Sequence, residues 1–250
     1  MFFRPGPWLL QGLAQVQQAL PSQCGICGRW PSQRVCGDCT ARWAGTQPRC
    51  RRCALPLPAG AAECGACLRA PPAFDAAWAA VDYGYPWSLL LAQLKFQQDP
   101  GAAYALAQLL ARVPGVSAAL ASARWIVPVP LSDQRLRERG FNQAALLARA
   151  LAGNCAPLPQ APDCAHLLVR ARHTPAQSGL QRDRRLRNLR GAFEVPAWQT
   201  ARLAGQRVVL VDDIMTTGAT LDAAAQALRR AGASHICAMV VARTQRLPRQ

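Results

Sequence analysis

Residues 208–221, VVLVDDIMTTGATL, constrain this chain more than any other stretch. Val208, Val209, Leu210 and Val211 make a continuous apolar run, which suits a strand buried on both faces of a parallel sheet. Two adjacent carboxylates, Asp212 and Asp213, follow where that strand is expected to emerge. Next comes a loop of small and hydroxyl residues, Thr216-Thr217-Gly218-Ala219-Thr220. Leu221 to Ala231 reads as a helix with Gly232 at its C-terminal cap, and His235 to Val241 is again strand-like. The pattern predicts a β–loop–α–β unit, and with it an α/β fold.

A loop of this kind captures anions. The first N–H groups of a helix have no intrahelical partner, and the macrodipole favours negative charge there. Gly218 lets the backbone approach an anion, and the threonine hydroxyls add donors. The acids would repel phosphate, so their better use is to accept hydrogen bonds from a diol or to hold Mg²⁺ beside it. A ribose 5-phosphate asks for both functions within a few ångströms. The plainer alternative is a strand followed by two solvated acids and a polar turn. The run also resembles the signature with which type I phosphoribosyltransferases bind phosphoribosyl pyrophosphate (PRPP). The resemblance implies that Asp212 and Asp213 meet the ribose diol while Thr216, Thr217, Gly218, Ala219 and Thr220 cradle the 5-phosphate.

Four Cys-x-x-Cys pairs precede this unit: Cys24/Cys27, Cys36/Cys39, Cys50/Cys53 and Cys64/Cys67. Each pair can aim two sulfurs at one metal, so two structural Cys₄ zinc sites account for them. The consecutive grouping is Cys24, Cys27, Cys36, Cys39 and then Cys50, Cys53, Cys64, Cys67. A first pair combined with the third satisfies the same spacing. A disulfide framework is the alternative, and it requires export, for which no signal is visible. Segment 20–70 is short and poor in large aliphatic residues, so bound metal would supply its stability. Cys155, Cys164, Cys237, His166, His173 and His235 show no ligand spacing.

The 250 residues carry a formal charge of +16, and Lys95 is the lone lysine. Two Cys₄ zinc centres at −2 each bring the charge to +12, still suited to a polyanionic partner. Arginines dispersed on solvated faces explain the charge equally well. A Walker A loop is excluded, since Lys95 lies between Leu94 and Phe96, and neither a G-x-G-x-x-G nor a G-x-S-x-G element occurs. No apolar run is long enough to span a bilayer. Residues 1–20 read as a short amphipathic helix that packs on the body, with surface membrane contact as the weaker reading.

Two further stretches carry candidate anion ligands. Trp125-Ile126-Val127 reads as a buried strand ended by Pro128-Val129-Pro130. The following Arg135 and Arg139 share one face, Gly140 breaks the pattern, and Asn142 to Leu151 restarts a helix. This is a natural seat for pyrophosphate. Residues 168–193 read as a strand, a cationic loop able to close over a ligand, and a short helix. The alternative is one solvated basic helix from Arg182 to Arg190. Pro71 and Pro72 mark a linker within Ala70–Ala80, and a further helix is expected over Gly101–Arg112.

Taken in order, the double Cys₄ module, LKF at 94–96, PVPLSDQRLRERGFNQA at 128–144, RARHTPAQSGLQRDRRLRN at 170–188 and VDDIMTTGAT at 211–220 resemble the ComF family. The likeness covers residues 24–243 and departs at Gln97-Gln98-Asp99, where a glycine is expected before the acid. It implies a type I phosphoribosyltransferase fold, a mostly parallel sheet flanked by helices, behind a double zinc ribbon. The implied layout is a lead segment at 1–22, the ribbon module at 23–70 and the phosphoribosyltransferase-like domain at 71–250. It implies PRPP with Mg²⁺ as ligand, Arg135, Arg139, Arg172 and Lys95 at the pyrophosphate, and a cytoplasmic, non-membrane protein. Single-stranded DNA and proteins of the DNA-uptake machinery are the implied partners. Two other functions remain: transfer of phosphoribose to an unknown nitrogen acceptor, and a non-catalytic single-strand-binding adaptor.

Overall fold

A computed structural model describes residues 22–96, 100–154, 167–171 and 191–245. The expected N-terminal helix, Arg172, the loop behind it, the Arg182–Arg190 segment, Cys155 and Cys164 lie outside the described residues. The chain divides into two units, one ending at Gly45 and one beginning at Thr46. In the first, Ser22 pairs with Ser32 in an antiparallel bridge, and helix α1 (Gly37–Trp43) follows. Cys36 caps α1 with its sulfur, which accepts from the Cys39 N–H.

The second unit opens with helix α2 (Gly65–Arg69), strand β1 (Ala76–Asp82), helices α3 (Trp87–Phe96), α4 (Pro100–Ala111) and α5 (Val116–Ser122), and strand β2 (Trp125–Pro128). Helices α6 (Asp133–Arg139) and α7 (Gln143–Asn154) come next, then the short strands β3 (Val169–Arg170) and β4 (Phe193–Glu194). Helix α8 (Ala197–Leu203), strand β5 (Arg207–Met215), helix α9 (Ala219–Arg230) and strand β6 (His235–Arg243) complete it. The main sheet is parallel throughout, in the order β1-β6-β5-β2, while β3 and β4 form a separate antiparallel pair.

Val208 to Val211 and Ile236 to Val241 are buried, as expected of central parallel strands covered on both faces. The β5–α9–β6 crossover joins neighbouring strands, and α9 buries Leu221, Ala224, Ala225 and Leu228. Gly232 turns the chain back into β6 at φ +93°, and a Cβ there would come within 3.2 Å of Ala204 Cα. Both the left-handed backbone and the close approach demand glycine. Leu106 and Leu110 of α4 and Leu147 and Leu151 of α7 add to the core.

Three local expectations shift. β5 does not end before the acids: ladder pairing with β6 runs on through Asp212–Val240 to Met215–Arg243. Helix α9 starts at Ala219, two residues earlier than expected. The segment expected as a linker contains β1 from Ala76, whose alternate burial is masked in sequence by small alanines. Among the described residues no single helix is long and apolar enough to cross a membrane. The bent pair Gly101–Ala111 and Val116–Ser122 is apolar because residues such as Leu106, Leu110 and Leu120 face the core.

Candidate functional site

β5 carries Asp212 and Asp213 to the carboxyl edge of the sheet, where ligands of open α/β sheets collect. The Asp213 N–H donates to Asp212 Oδ1 at 2.9 Å, and Asp213 Oδ2 meets Lys95 Nζ at 2.9 Å. Lys95 sits in the last turn of α3. Burial, then the neighbouring Asp213 charge, pushes the Asp212 carboxyl up to about 8, against the opposing pull of the Asp213 N–H and Lys95.

Beyond Met215 the chain makes a tight loop into α9. Gly218 takes φ +83° at the N-cap, a left-handed conformation that an L side chain adopts only under strain. Thr217 Oγ1 accepts from the Ala219 N–H at 3.3 Å, and the Asp222 N–H closes the first turn on the Gly218 carbonyl at 2.8 Å. Thr216 is exposed, Thr217, Gly218 and Thr220 are half-buried, and Ala219 is buried. The loop thus offers a ring of hydroxyls and helix-terminal N–H groups a few residues from the acid pair.

α6 is capped by Ser132, whose hydroxyl accepts from the Arg135 N–H, and ends on Gly140 at φ +74°. Arg135 and Arg139 share its half-buried face while Arg137 is exposed. The Arg139 guanidinium lies 5.8 Å from the centroid of the exposed Phe96 ring and donates to Gln143 Oε1 at 3.2 Å. Phe96 adjoins Lys95, so Arg139 stands beside the end of the helix that supplies Lys95. Asn142 fastens this turn to the segment just after β2 by donating to the Val129 carbonyl at 3.0 Å. Arg135 is close enough to Arg170 for the two cations to repel, and Arg170 in turn feels Asp212.

Arg170 was not among the sequence candidates. Burial, reinforced by Arg135, lowers its guanidinium pKa, and Asp212 works against that shift. Its signal is the first arginine of the R-x-R element at 170–172. Gln143 was also missed: it is buried, and its Nε2 has no hydrogen-bond partner. Arg243, which holds the loop from behind, carried no signal at all, being one arginine at the end of an apolar strand.

The cysteines form two clusters, Cys24, Cys27, Cys36, Cys39 and Cys50, Cys53, Cys64, Cys67, with the sulfurs of each within 4.8 Å of one another. This resolves the grouping that spacing left open. Sulfurs stand 3.8 Å apart for Cys24–Cys39, 3.7 Å for Cys27–Cys36 and 3.7 Å for Cys53–Cys64. A tetrahedron with Zn–S near 2.3 Å has edges of about 3.8 Å, whereas a disulfide needs about 2.0 Å. The donor set and its spacing therefore fit zinc. The Cys36 N–H points at Cys24 Sγ at 3.5 Å, and the Cys64 N–H at Cys50 Sγ at 3.3 Å, as in thiolate metal sites. Burial disfavours the Cys24 thiolate, but backbone donors at Cys27, Cys36 and Ile26 outweigh it and lower the thiol to about 6.

Comparison with known proteins agrees with this anatomy. Residues 140–250 match the phosphoribosyl transferase domain model, and residues 16–68 match the double zinc ribbon domain model. The chain is 36% identical over 229 residues to the DNA utilization protein YhgH of Salmonella typhimurium, covering 88% of this chain and 90% of that protein. It is 34% identical over 192 residues to competence protein F of Haemophilus influenzae, covering 76% and 82%. Over 107 residues it is 36% identical to competence protein ComFC of Bacillus subtilis, covering 43% and 39%. A phosphoribosyltransferase fold behind two Cys₄ clusters, with relatives of this identity and coverage, places the chain in the ComF family.

Proposed function

We propose that this protein binds PRPP together with Mg²⁺ at the end of β5 and acts in the handling of DNA by the cell. The observation that carries the reading is the junction of β5, the Thr216–Thr220 loop and α9. Paired carboxylates and a left-handed Gly218 at a helix N-terminus stand five residues apart on one continuous backbone. A diol and a phosphate on one sugar match that spacing chemically. Asp212 and Asp213 receive the ribose hydroxyls, and the loop receives the 5-phosphate. Arg135, Arg139, Lys95 and Arg170 line the side where pyrophosphate would lie, with Arg172 as a further candidate from the motif. Mg²⁺ when bound would neutralise part of the pyrophosphate charge.

The DNA role rests on the relatives, whose names speak of DNA utilization and competence, and on the formal charge of +16. A cytoplasmic site of action and partners in DNA uptake follow from that role. Calorimetry with PRPP at millimolar Mg²⁺ tests the ligand. Saturable heat that disappears in Asp212→Asn/Asp213→Asn supports it, and the absence of heat in the wild type refutes it. The charge also favours a second reading, in which the loop holds a phosphate of single-stranded DNA. Binding would then weaken steeply with salt and survive Asp213→Asn, and salt-insensitive binding removes that reading.

A further inference from the structure

Arg243 is 1% exposed, at the end of β6, and its guanidinium joins two parts of the second unit. Nε donates to the Cys53 carbonyl at 2.8 Å. Nη1 donates to the carbonyls of Met215 at 3.0 Å and Thr244 at 2.9 Å, and also to that of Thr216. Cys53 is a ligand of the second cysteine cluster, while Met215 and Thr216 lead into the phosphate loop. One rigid, planar cation therefore holds the backbone of a metal ligand and the entry to the loop together.

The Cys53 carbonyl is also set by a strained neighbour. Ala54 is a buried non-glycine residue at φ +54°, and its N–H donates to the Cys50 carbonyl at 2.7 Å. The equivalent position in the first cluster is Gly28 at φ +73°, with its N–H on the Cys24 carbonyl. Glycine takes this turn freely, whereas alanine holds it only while something else enforces the knuckle. Four thiolates on one metal do that. A cleft of about 180 Å³ is lined by Cys53, Cys67 and Phe74 together with Thr217, Asp222 and Arg243. At this cleft Arg243 is a discrete polar tie between the second cysteine cluster and the loop, beside the Ala73 N–H, which donates to Asp222 Oδ1 at 2.7 Å.

We propose that Arg243 is a positioning residue through which metal in the second cysteine centre shapes the phosphate loop. Metal fixes the Cys50–Ala54 knuckle, the knuckle aims the Cys53 carbonyl, and Arg243 passes that constraint to Met215 and Thr216. Loss of the metal releases the carbonyl and slackens the loop. This inference rests on the proposed binding of PRPP at that loop. Linkage requires the effect to be mutual: PRPP must tighten the hold on that metal by the same factor by which the metal tightens the hold on PRPP.

The test uses the full-length zinc-loaded protein and a chromophoric zinc chelator, with and without PRPP and Mg²⁺. In the wild type, PRPP is expected to make one of the two zinc equivalents about tenfold harder to withdraw. Arg243→Met is expected to bind PRPP about tenfold more weakly and to lose the effect of PRPP on zinc. Arg243→Lys, which keeps the charge but not the fork, should restore part of it. Cobalt substituted for zinc adds a spectroscopic reading, since its thiolate bands should shift on PRPP addition in the wild type and not in Arg243→Met. If Arg243→Met fails to fold, the linkage in the wild type decides alone. PRPP binding with both zinc equivalents unaffected overturns the coupling and leaves the proposed function standing. No PRPP binding by the wild type overturns the proposed function, and this inference with it.

Discussion

Asp212 is where pH should act on ligand binding. Its carboxyl is pushed up to about 8 by burial first and by the Asp213 charge second. A ribose diol donates its protons, so the ligand calls for the ionised carboxylate. With its carboxyl pushed up to about 8, Asp212 is mostly protonated at pH 7, and PRPP binding should release a proton. Between pH 7 and 8.5 the ionised fraction rises severalfold, so affinity should rise with it, by about 1 kcal/mol. The window stays above the second phosphate ionisation near pH 6, which would otherwise add its own protons.

Calorimetry at pH 7 in buffers of different ionisation enthalpy counts the released proton. Asp213→Asn removes the like charge, lowers the Asp212 carboxyl toward the ordinary range, and should shrink the count in whatever binding survives. Without ligand the sign is opposite. A carboxyl raised on folding favours the folded state most below the ordinary carboxylate range, and that contribution is lost as pH rises through about 8. PRPP should therefore protect against thermal unfolding more at pH 8.5 than at pH 7. Heats that do not vary with buffer, together with an affinity flat from pH 7 to 8.5, would show that the ligand does not require an ionised Asp212.

Other perturbations separate scaffold from site. A Cβ on Gly218 would meet only the Met215 side chain, in ordinary contact with Sδ at 3.8 Å and Cγ at 3.9 Å, so Gly218→Ala should cost about 1–2 kcal/mol from the left-handed backbone alone, measured by thermal unfolding. Its PRPP affinity should fall as the loop relaxes. Asp75 accepts from the Ile236 N–H at 2.8 Å and pairs with Arg229 at 2.6 Å, contacts that outweigh burial and lower its carboxyl pKa. Arg229→Ala should cost about 1 kcal/mol in denaturant unfolding, since the guanidinium is partly screened by solvent. That difference should shrink as pH falls through the depressed Asp75 value, leaving the share carried by the Arg229 hydrogen bonds to the Ser234 and Ala73 carbonyls. Metal analysis should return two zinc ions per chain, and Cys64→Ala should lose one of them.

What could be read in advance tracks how local each determinant is. VVLV announces a buried parallel strand by itself, and its place between β2 and β6 could not be announced, because strand order arises from contacts distant in sequence. The end of β5 is hidden in the sequence because two charges normally stop a strand, and here the β6 ladder continues past them to Met215. β1 was hidden because alternation among alanines produces little contrast in polarity. The loop was legible down to Gly218, since a left-handed cap before a helix has few alternatives to glycine. Cysteine spacing revealed two metal sites but not their membership, which needed sulfurs within 4.8 Å. Arg243 and Gln143 were illegible because their roles consist of partners far along the chain or buried atoms without partners.

The chemistry open to a transferase at this site turns on Thr216. Here the Thr216 carbonyl is engaged by Arg243, and its hydroxyl is no base at neutral pH. Asp212, at about 8, has a pKa suited to a base, but in the proposed complex it is occupied by the ribose diol. Among the described residues, an acceptor that must lose a ring proton before attack therefore finds no group to take it. An unprotonated amine needs no such help, because it attacks the anomeric carbon as the neutral species and sheds its proton to water afterwards. Any release of pyrophosphate from PRPP should accordingly proceed with primary amines, and its rate should follow the free-base fraction as pH rises. Purines bearing a ring N–H should stay inert. Turnover of hypoxanthine or guanine by the wild-type protein would refute this, and would require a base that neither Thr216 nor the acid pair supplies.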